Sequence, residues 1–244
     1  MRIALIGYGK MGREIEELAI SKDHTIGLKI SIDNLEDFTS ENLNLCDVAI
    51  EFSSPEAAEK NLNKCFDAGV PVVCGTTGWY QNLERVMAKC AEHKGALLYS
   101  SNFSIGVNIF FAANRYLARL LNKYPEYNIS IEEIHHTQKL DSPSGTAITL
   151  AEQTISLIER KKNWELSNTI KSDSNRSESI EISALRMEDV KGTHTIKYQS
   201  EIDTIELKHE AHSRKGFAAG AILAAEFIFN KQGIFTMKDV LNLG

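Results

Sequence analysis

The chain has 244 residues, 43% of them hydrophobic and 25% charged, with a formal net charge of −6. That length holds one large or two modest domains, each with its own core, and a net acidic surface gives a nucleic-acid partner no electrostatic support. The opening MRIALIGYGKMG is too short an apolar run to span a membrane and lacks a secretory cleavage site, so no membrane association and a cytoplasmic location are expected. Cys46, Cys65, Cys74 and Cys90 form no CxxC pair and have no histidine at zinc-like spacing. They are expected as buried, reduced thiols rather than metal ligands.

Met1–Ile6 reads as an apolar strand and runs directly into Gly7-Tyr8-Gly9-Lys10-Met11-Gly12. The residues after it, Arg13–Ser21, place Ile15, Leu18 and Ala19 at helical spacing. Strand, G-x-G-x-x-G and helix form the context that a dinucleotide fingerprint requires. The glycines permit the turn and the approach of a pyrophosphate, and the helix start supplies N–H groups and a favourable dipole. Further strands are expected at Thr25–Ile32 and Val48–Phe52, the latter followed by a helix start at Ser53-Ser54-Pro55. Two more strands lead into Gly75-Thr76-Thr77-Gly78 and Ser100-Ser101-Asn102-Phe103. An open parallel sheet binds its ligand at such strand ends, so these turns are expected to share one cofactor, NADH or NADPH. At the end of the second strand an acidic residue usually holds the adenosine ribose of NAD. Here that place falls near Ser31, with Lys29 before it and Asp33 beyond, and the register does not choose between the two cofactors.

From about Ser104 the pattern changes. A helix is expected through IGVNIFFAANRYLARLLNKY, with Ile109, Ala112, Ala113, Tyr116, Leu117 and Leu120 as its apolar face. Asn128–His135 then alternates as a strand, with Ile129, Ile131, Glu133 and His135 on one face and Ser130, Glu132, Ile134 and His136 on the other. Ser144 is expected as the N-cap of a helix over Ala147–Lys161. After a polar stretch, Ser167–Ser179, strands are expected at Ile180–Leu185, Thr193–Gln199 and Thr204–His209. The closing helix in KGFAAGAILAAEFIFNKQG carries small residues suited to packing against the first sheet. The expected fold is therefore α/β: a Rossmann-like dinucleotide-binding domain, 1–103 completed by 214–244, and a second α+β domain on a mixed sheet, 104–213.

His135 and His136 lie a few residues before Lys139 and the Ser144-Gly145-Thr146 helix start. A helix start with added hydroxyls is an anion site. A histidine gives a proton near neutral pH. Taken singly, each histidine reads as an ordinary strand-end residue. Taken together beside a hydride-donor fold, the cluster points to reduction of an acidic substrate.

These residues resemble the 4-hydroxy-tetrahydrodipicolinate (dihydrodipicolinate) reductase family of lysine and diaminopimelate synthesis. The signature E-x-H-H-x-x-K-x-D-x-P-S-G-T-A is matched throughout Glu133–Ala147. The resemblance extends to the glycine loop at 7–12, the GTTG turn at 75–78, NFSIGVN at 102–108 and FTMKDVL at 235–241. It implies His135 as proton donor and Lys139 as a second catalytic donor, with His136, Ser144, Gly145 and Thr146 holding a cyclic dicarboxylate. It implies cofactor contacts at Gly7, Tyr8, Gly9, Lys10, Met11 and Gly12, at Gly75, Thr76 and Thr77, and at Ser100, Ser101, Asn102 and Phe103. It further implies a homotetramer formed through the second sheet, and an arginine, Arg214, near the family's interdomain cleft. The chain departs from the pattern in a short glycine loop and in Ser31, where an acidic residue is common; both bear on NADH against NADPH. Two rival readings are another two-domain dehydrogenase of the aspartate dehydrogenase type, and a regulatory protein that senses NAD(P) without turnover. A turnover assay separates the last from an enzyme.

Overall fold

The computed structural model describes residues 1–139, 141–167, 178–213 and 215–243. In chain order its elements are β1 (Arg2–Ile6), α1 (Lys10–Ser21), β2 (Thr25–Ile30), α2 (Ser40–Leu43), β3 (Val48–Glu51), α3 (Pro55–Asp67), β4 (Val72–Cys74), α4 (Leu83–Glu92), β5 (Ala96–Tyr99) and α5 (Ile105–Leu121). There follow β6 (Asn128–His135), α6 (Gly145–Ile155), β7 (Asn163–Ser167), β8 (Ser179–Arg186), β9 (Thr193–Gln199), β10 (Thr204–Glu210), α7 (Lys215–Ile228), β11 (Gly233–Phe235) and α8 (Met237–Val240). They form two compact units, Met1–Ile105 with Lys215–Gly244, and Gly106–Arg214. Arg214 itself lies outside the described residues, as does most of the polar stretch before β8.

The first unit is a parallel six-stranded sheet in the order β11-β5-β4-β3-β1-β2. Its strands are apolar on both faces because helices cover both. Ala4, Ile6, Val72 and Cys74 meet Leu62, Phe66 and Val86 of α3 and α4 on one side. Ile3, Leu5 and Val73 meet Ile15, Ala19, Ala221, Ala225 and Ile228 of α1 and α7 on the other. All four cysteines are free and buried. Two expected boundaries move. The second strand stops at Ile30 rather than Ile32, because the Ile30 carbonyl is taken by the N–H groups of Gly7 and Tyr8 and the Ser31 N–H by the Asn34 side chain. The short strand β11 was not expected; it pairs with β5 and adds an edge.

The second unit is a mixed five-stranded sheet in the order β10-β9-β6-β8-β7. β6 runs antiparallel to β9 and parallel to β8. Its odd residues are buried and its even ones half exposed, as alternation requires. β7 was not foreseen. The helix α6 starts at Gly145 and stops at Ile155 with Ser156 as its C-cap, well short of Lys161, whose side chain bonds Asn128 and the Ser179 carbonyl instead.

The rotation of α5 corrects the expectation from its periodicity. Val107, Phe110, Phe111, Asn114, Ala118 and Leu121 are buried, while Ile109, Tyr116 and Leu120 are at least half exposed. Both stripes of this helix are apolar, so hydrophobicity alone does not choose. Asn114 decides the matter. Fully buried, it accepts from the Tyr198 hydroxyl at 2.7 Å and donates to Thr154 Oγ1 at 3.0 Å. A buried amide bonded at both ends locks the helix about its axis.

In the first unit α7 comes so close to the strand end after β5 that a Cβ on Gly220 would sit 1.7 Å from the Phe103 carbonyl oxygen. Gly220→Ala is therefore expected to destabilise the protein toward the upper part of the ~1–3 kcal/mol typical of overpacking. A fall in the urea midpoint at unchanged m-value reads it; an unchanged midpoint would mean the helix shifts at no cost.

Candidate active site

The strand order brings the C-terminal ends of β1, β3, β4 and β5 side by side, and with them the turns at 7–12, 52–54, 75–78 and 100–103. Gly7 adopts φ +93°, and a Cβ there would overlap the Phe52 carbonyl oxygen. No side chain caps α1 at Gly9, and nothing lies within 4 Å of where a Gly9 Cβ would stand. An uncapped helix start with open space before it fits a pyrophosphate. Lys10, Thr77 and Ser101 are exposed, and Tyr8, Met11, Gly75 and Ser100 half buried. Thr76, Asn102 and Phe103 are buried and shape the turns from within. Thr76 Oγ1 accepts the Ser53 N–H at 2.8 Å, and Asn102 Oδ1 accepts the Ser104 N–H at 2.9 Å.

Beneath these turns lies a carboxylate the sequence reading overlooked. Glu51, wholly buried at the end of β3, accepts from Asn61 at 3.2 Å, from the Ser53 hydroxyl and from the Cys74 thiol at 3.2 Å. At the edge of the loop, Lys29 is not an open cation: its Nζ lies 3.1 Å from Glu16, which also accepts from the Tyr8 hydroxyl. Ser31 stands at the strand end as expected, with its hydroxyl accepting the Asp33 N–H at 3.1 Å.

The second cluster sits on the helix-covered face of the other sheet. Along β6 that face changes from Ile129 and Ile131 to Glu133 and His135, all buried. Register places His194 opposite Glu133 and Arg186 opposite His135. The strand ends at His135, so His136 leaves it half buried in the following turn. Ser144 caps α6 through its hydroxyl, which accepts the Ala147 N–H at 3.2 Å. Its own N–H donates to both Glu133 oxygens, at 3.1 and 3.0 Å, and its Oγ lies 3.1 Å from His194 Nε2. Ser144 thus organises the helix start, while Gly145 is exposed and Thr146 half buried beside it.

Arg186 and His194, more than forty residues downstream, were not foreseen, and neither was any role for Glu133. Arg186 donates to the Asp141 carbonyl at 2.7 Å and lies 3.4 Å from Glu133, tying the loop back to β8. Lys139 pairs with Asp141 at 2.7 Å. Burial alone would raise the Asp141 carboxyl, but the Lys139 hydrogen bond and charge hold it below the usual range. Burial lowers His135, against the pull of Glu133, with Lys139 and Arg186 adding to the fall. His194, more deeply buried and facing His135, is pushed down to about 3 and is neutral at working pH. Donor atoms of Glu133, His135 and His194 lie within 4.8 Å of one another. The carboxylate is already engaged by Ser144 and Arg186, so the trio reads as a proton site. A helix-start anion cradle, a cation and a buried imidazole are the parts needed to hold and protonate a carboxylate-bearing substrate.

The model for the N-terminus of dihydrodipicolinate reductase matches residues 1–103, and that for its C-terminus matches residues 106–241. A 4-hydroxy-tetrahydrodipicolinate reductase of Christiangramia forsetii is 49% identical over 242 residues, covering 99% of this chain and 98% of that protein. Among solved structures, the fold is similar to a dipicolinate-bound dihydrodipicolinate reductase from Paenisporosarcina sp., at TM-score 0.76 and 21% identity, covering 97% of both chains. It is also similar to an aspartate dehydrogenase from Thermotoga maritima, at TM-score 0.51 and 16% identity, covering 95% of this chain and 97% of that one. Fold alone therefore spans several dehydrogenase activities, whereas the whole-length sequence match does not. By that match, and by the unbroken run from Glu133 to Ala147, the chain belongs to the dihydrodipicolinate reductase family.

Proposed function

We propose that this chain reduces 4-hydroxy-tetrahydrodipicolinate to tetrahydrodipicolinate, with loss of water, at the expense of NADH or NADPH in diaminopimelate and lysine synthesis. The observation that carries this reading is the whole-length similarity at 49% identity, joined to the intact motif on one strand, loop and helix start. The loop at 7–12 and the turns at 75–77 and 100–103 are the residues that would hold the dinucleotide, which supplies a hydride when bound. The chain's own residues do the rest. Gly145 and Thr146 hold one carboxylate of the ring at the start of α6, where backbone donors and dipole favour it. Lys139 and His136 face the electron-rich side of the substrate and stabilise its developing charge. His135 gives its proton to the ring carbon next to the reduced one.

In the same reading the enzyme is a cytoplasmic homotetramer. Four cysteines without a disulfide are in keeping with a reducing compartment. Among the described residues no helix is long and apolar enough to cross a membrane. Ile134, Leu185 and Met187 leave the sheet face opposite α6 partly apolar and at least partly exposed, and this face would take a second copy.

His135→Gln is expected to leave dinucleotide affinity nearly unchanged and to lower kcat by ~10²–10⁴-fold, the usual range for a general acid. Because His135 acts in its protonated form and burial lowers it, kcat should fall as pH rises through a value below that of free imidazole. A His135→Gln variant that keeps most of its turnover removes the residue from the donor role.

Thr146→Val should mainly raise KM, and should weaken inhibition by pyridine-2,6-dicarboxylate, by the ~1.5–3 kcal/mol of a hydrogen bond to a charged group. Equal inhibition of both proteins would place the carboxylate elsewhere.

For the cofactor, Ser31 offers no carboxylate against a 2′-phosphate, but Glu16 already balances Lys29. Both cofactors should be used, with NADPH preferred by less than about tenfold, or ~1.4 kcal/mol. Comparing kcat/KM for the two at fixed substrate tests this. Ser31→Asp should move the ratio toward NADH and Glu16→Gln toward NADPH, and a ratio unmoved by either would put the ribose contact at another position.

A further inference from the structure

We infer that Glu133 is a positioning residue that accepts a hydrogen bond from the Nδ1–H of His135, so that Nε2 is the nitrogen presented to substrate. The inference rests on His135 as the donor, as proposed above, and adds what sets its tautomer. His135 Nδ1 is buried without a hydrogen-bond partner and lies 3.8 Å from Glu133 Oε2. The Nε2 edge lies instead against Gly192, where a Cβ would stand only 3.2 Å away, so glycine leaves that edge clear of a side chain. Hydrogen bonds between catalytic groups are often long before substrate binds and close in the complex.

The other charged groups around the ring leave this role to Glu133. Arg186 on β8 and Lys139 in the loop are cations, and Asp141 is paired with Lys139. His194 on β9 stands edge-on to His135 at 5.0 Å between ring centres, with its Nε2 beside the Ser144 hydroxyl. Glu133, wholly buried, is held in place by the Ser144 N–H on both oxygens. The same carboxylate therefore faces the imidazole and anchors the turn that offers Gly145 and Thr146. When the imidazolium gives its Nε2 proton, the N–H bond breaks and a C–H bond forms on the substrate. The ring is left neutral, with its remaining proton on Nδ1 facing Glu133, and solvent returns the other. A carboxylate on one nitrogen fixes the tautomer and favours the charged form.

Glu133→Gln keeps the volume and an acceptor for Ser144 but removes the charge. Its alkaline limb in kcat against pH should move down by about one pH unit, so that kcat above the limb falls about tenfold, while the Kd for pyridine-2,6-dicarboxylate stays within about twofold. Glu133→Asp should bring the limb back toward its original place. A purely structural Glu133 would lower kcat and ligand affinity together without moving the limb, and that result overturns the inference. Histidine ¹⁵N spectra of the unmodified protein, assigned by loss of the signal in His135→Gln, give a test independent of whether either Glu133 variant folds. Neutral His135 should be the Nδ1–H tautomer, and an Nε2–H tautomer overturns the inference. If His135→Gln keeps its turnover, the donor reading fails and takes the catalytic part of this inference with it. If His135→Gln is inactive and the Glu133→Gln limb is unmoved, the role of Glu133 alone fails.

Discussion

A carboxylate with no access to water has to be satisfied by the protein, and in the second unit that requirement gathers everything else. Glu133 is wholly buried. An unpaired charge in such a place costs several kcal/mol, even after relaxation. It is met by the N–H at the start of α6 and by Arg186 from a neighbouring strand. Those two contacts bring the start of α6, the strand end bearing His135 and the loop bearing Lys139 into one place. His194 closes the group from the antiparallel side, beside the Ser144 hydroxyl that caps the helix. Take the carboxylate away and the helix start loses its tie to the strand.

The first unit uses a similar device at its own strand ends. Glu51 is buried below the turns after β3 and β4, and it is satisfied by Asn61, Ser53 and Cys74 rather than by a cation. Thr76 in turn accepts from the Ser53 backbone, so neighbouring turns are held to one another through side chains. Beside them the start of α1 is uncapped and open at Gly9, which suits a pyrophosphate. In both units a buried acid lies at or near the C-terminal end of a strand, Glu51 as the last residue of β3 and Glu133 two residues before the end of β6, and each is bonded by residues of the turns that follow.

The likeness to an aspartate dehydrogenase shows how little the architecture alone says about chemistry. A parallel six-stranded sheet joined to a mixed five-stranded one is a fold shared by proteins of different activity. What assigns the family here is the whole-length sequence match, which takes in the fifteen-residue run from Glu133 to Ala147 across a strand end and a helix start.

By itself the sequence determined the local features. Alternation along Asn128–His135 set the buried face of β6, Ser144 announced the start of α6, and the glycine loop followed directly on β1. These are legible because each depends on residues within a turn or two of chain, where side-chain direction and backbone donors are set by spacing. Only the tertiary structure decided the rest. Periodicity chose the wrong stripe of α5, since its rotation depends on Asn114 meeting Tyr198 and Thr154 from distant elements. The surroundings of Lys29 were open in the sequence and are set by α1, which packs Glu16 3.1 Å from its Nζ. Arg186 and His194 joined the site through strand register, which pairs residues about fifty and sixty positions apart. Glu133 carried no local mark of its role. Burial and partners are properties of the packed sheet, and no window along the chain contains them.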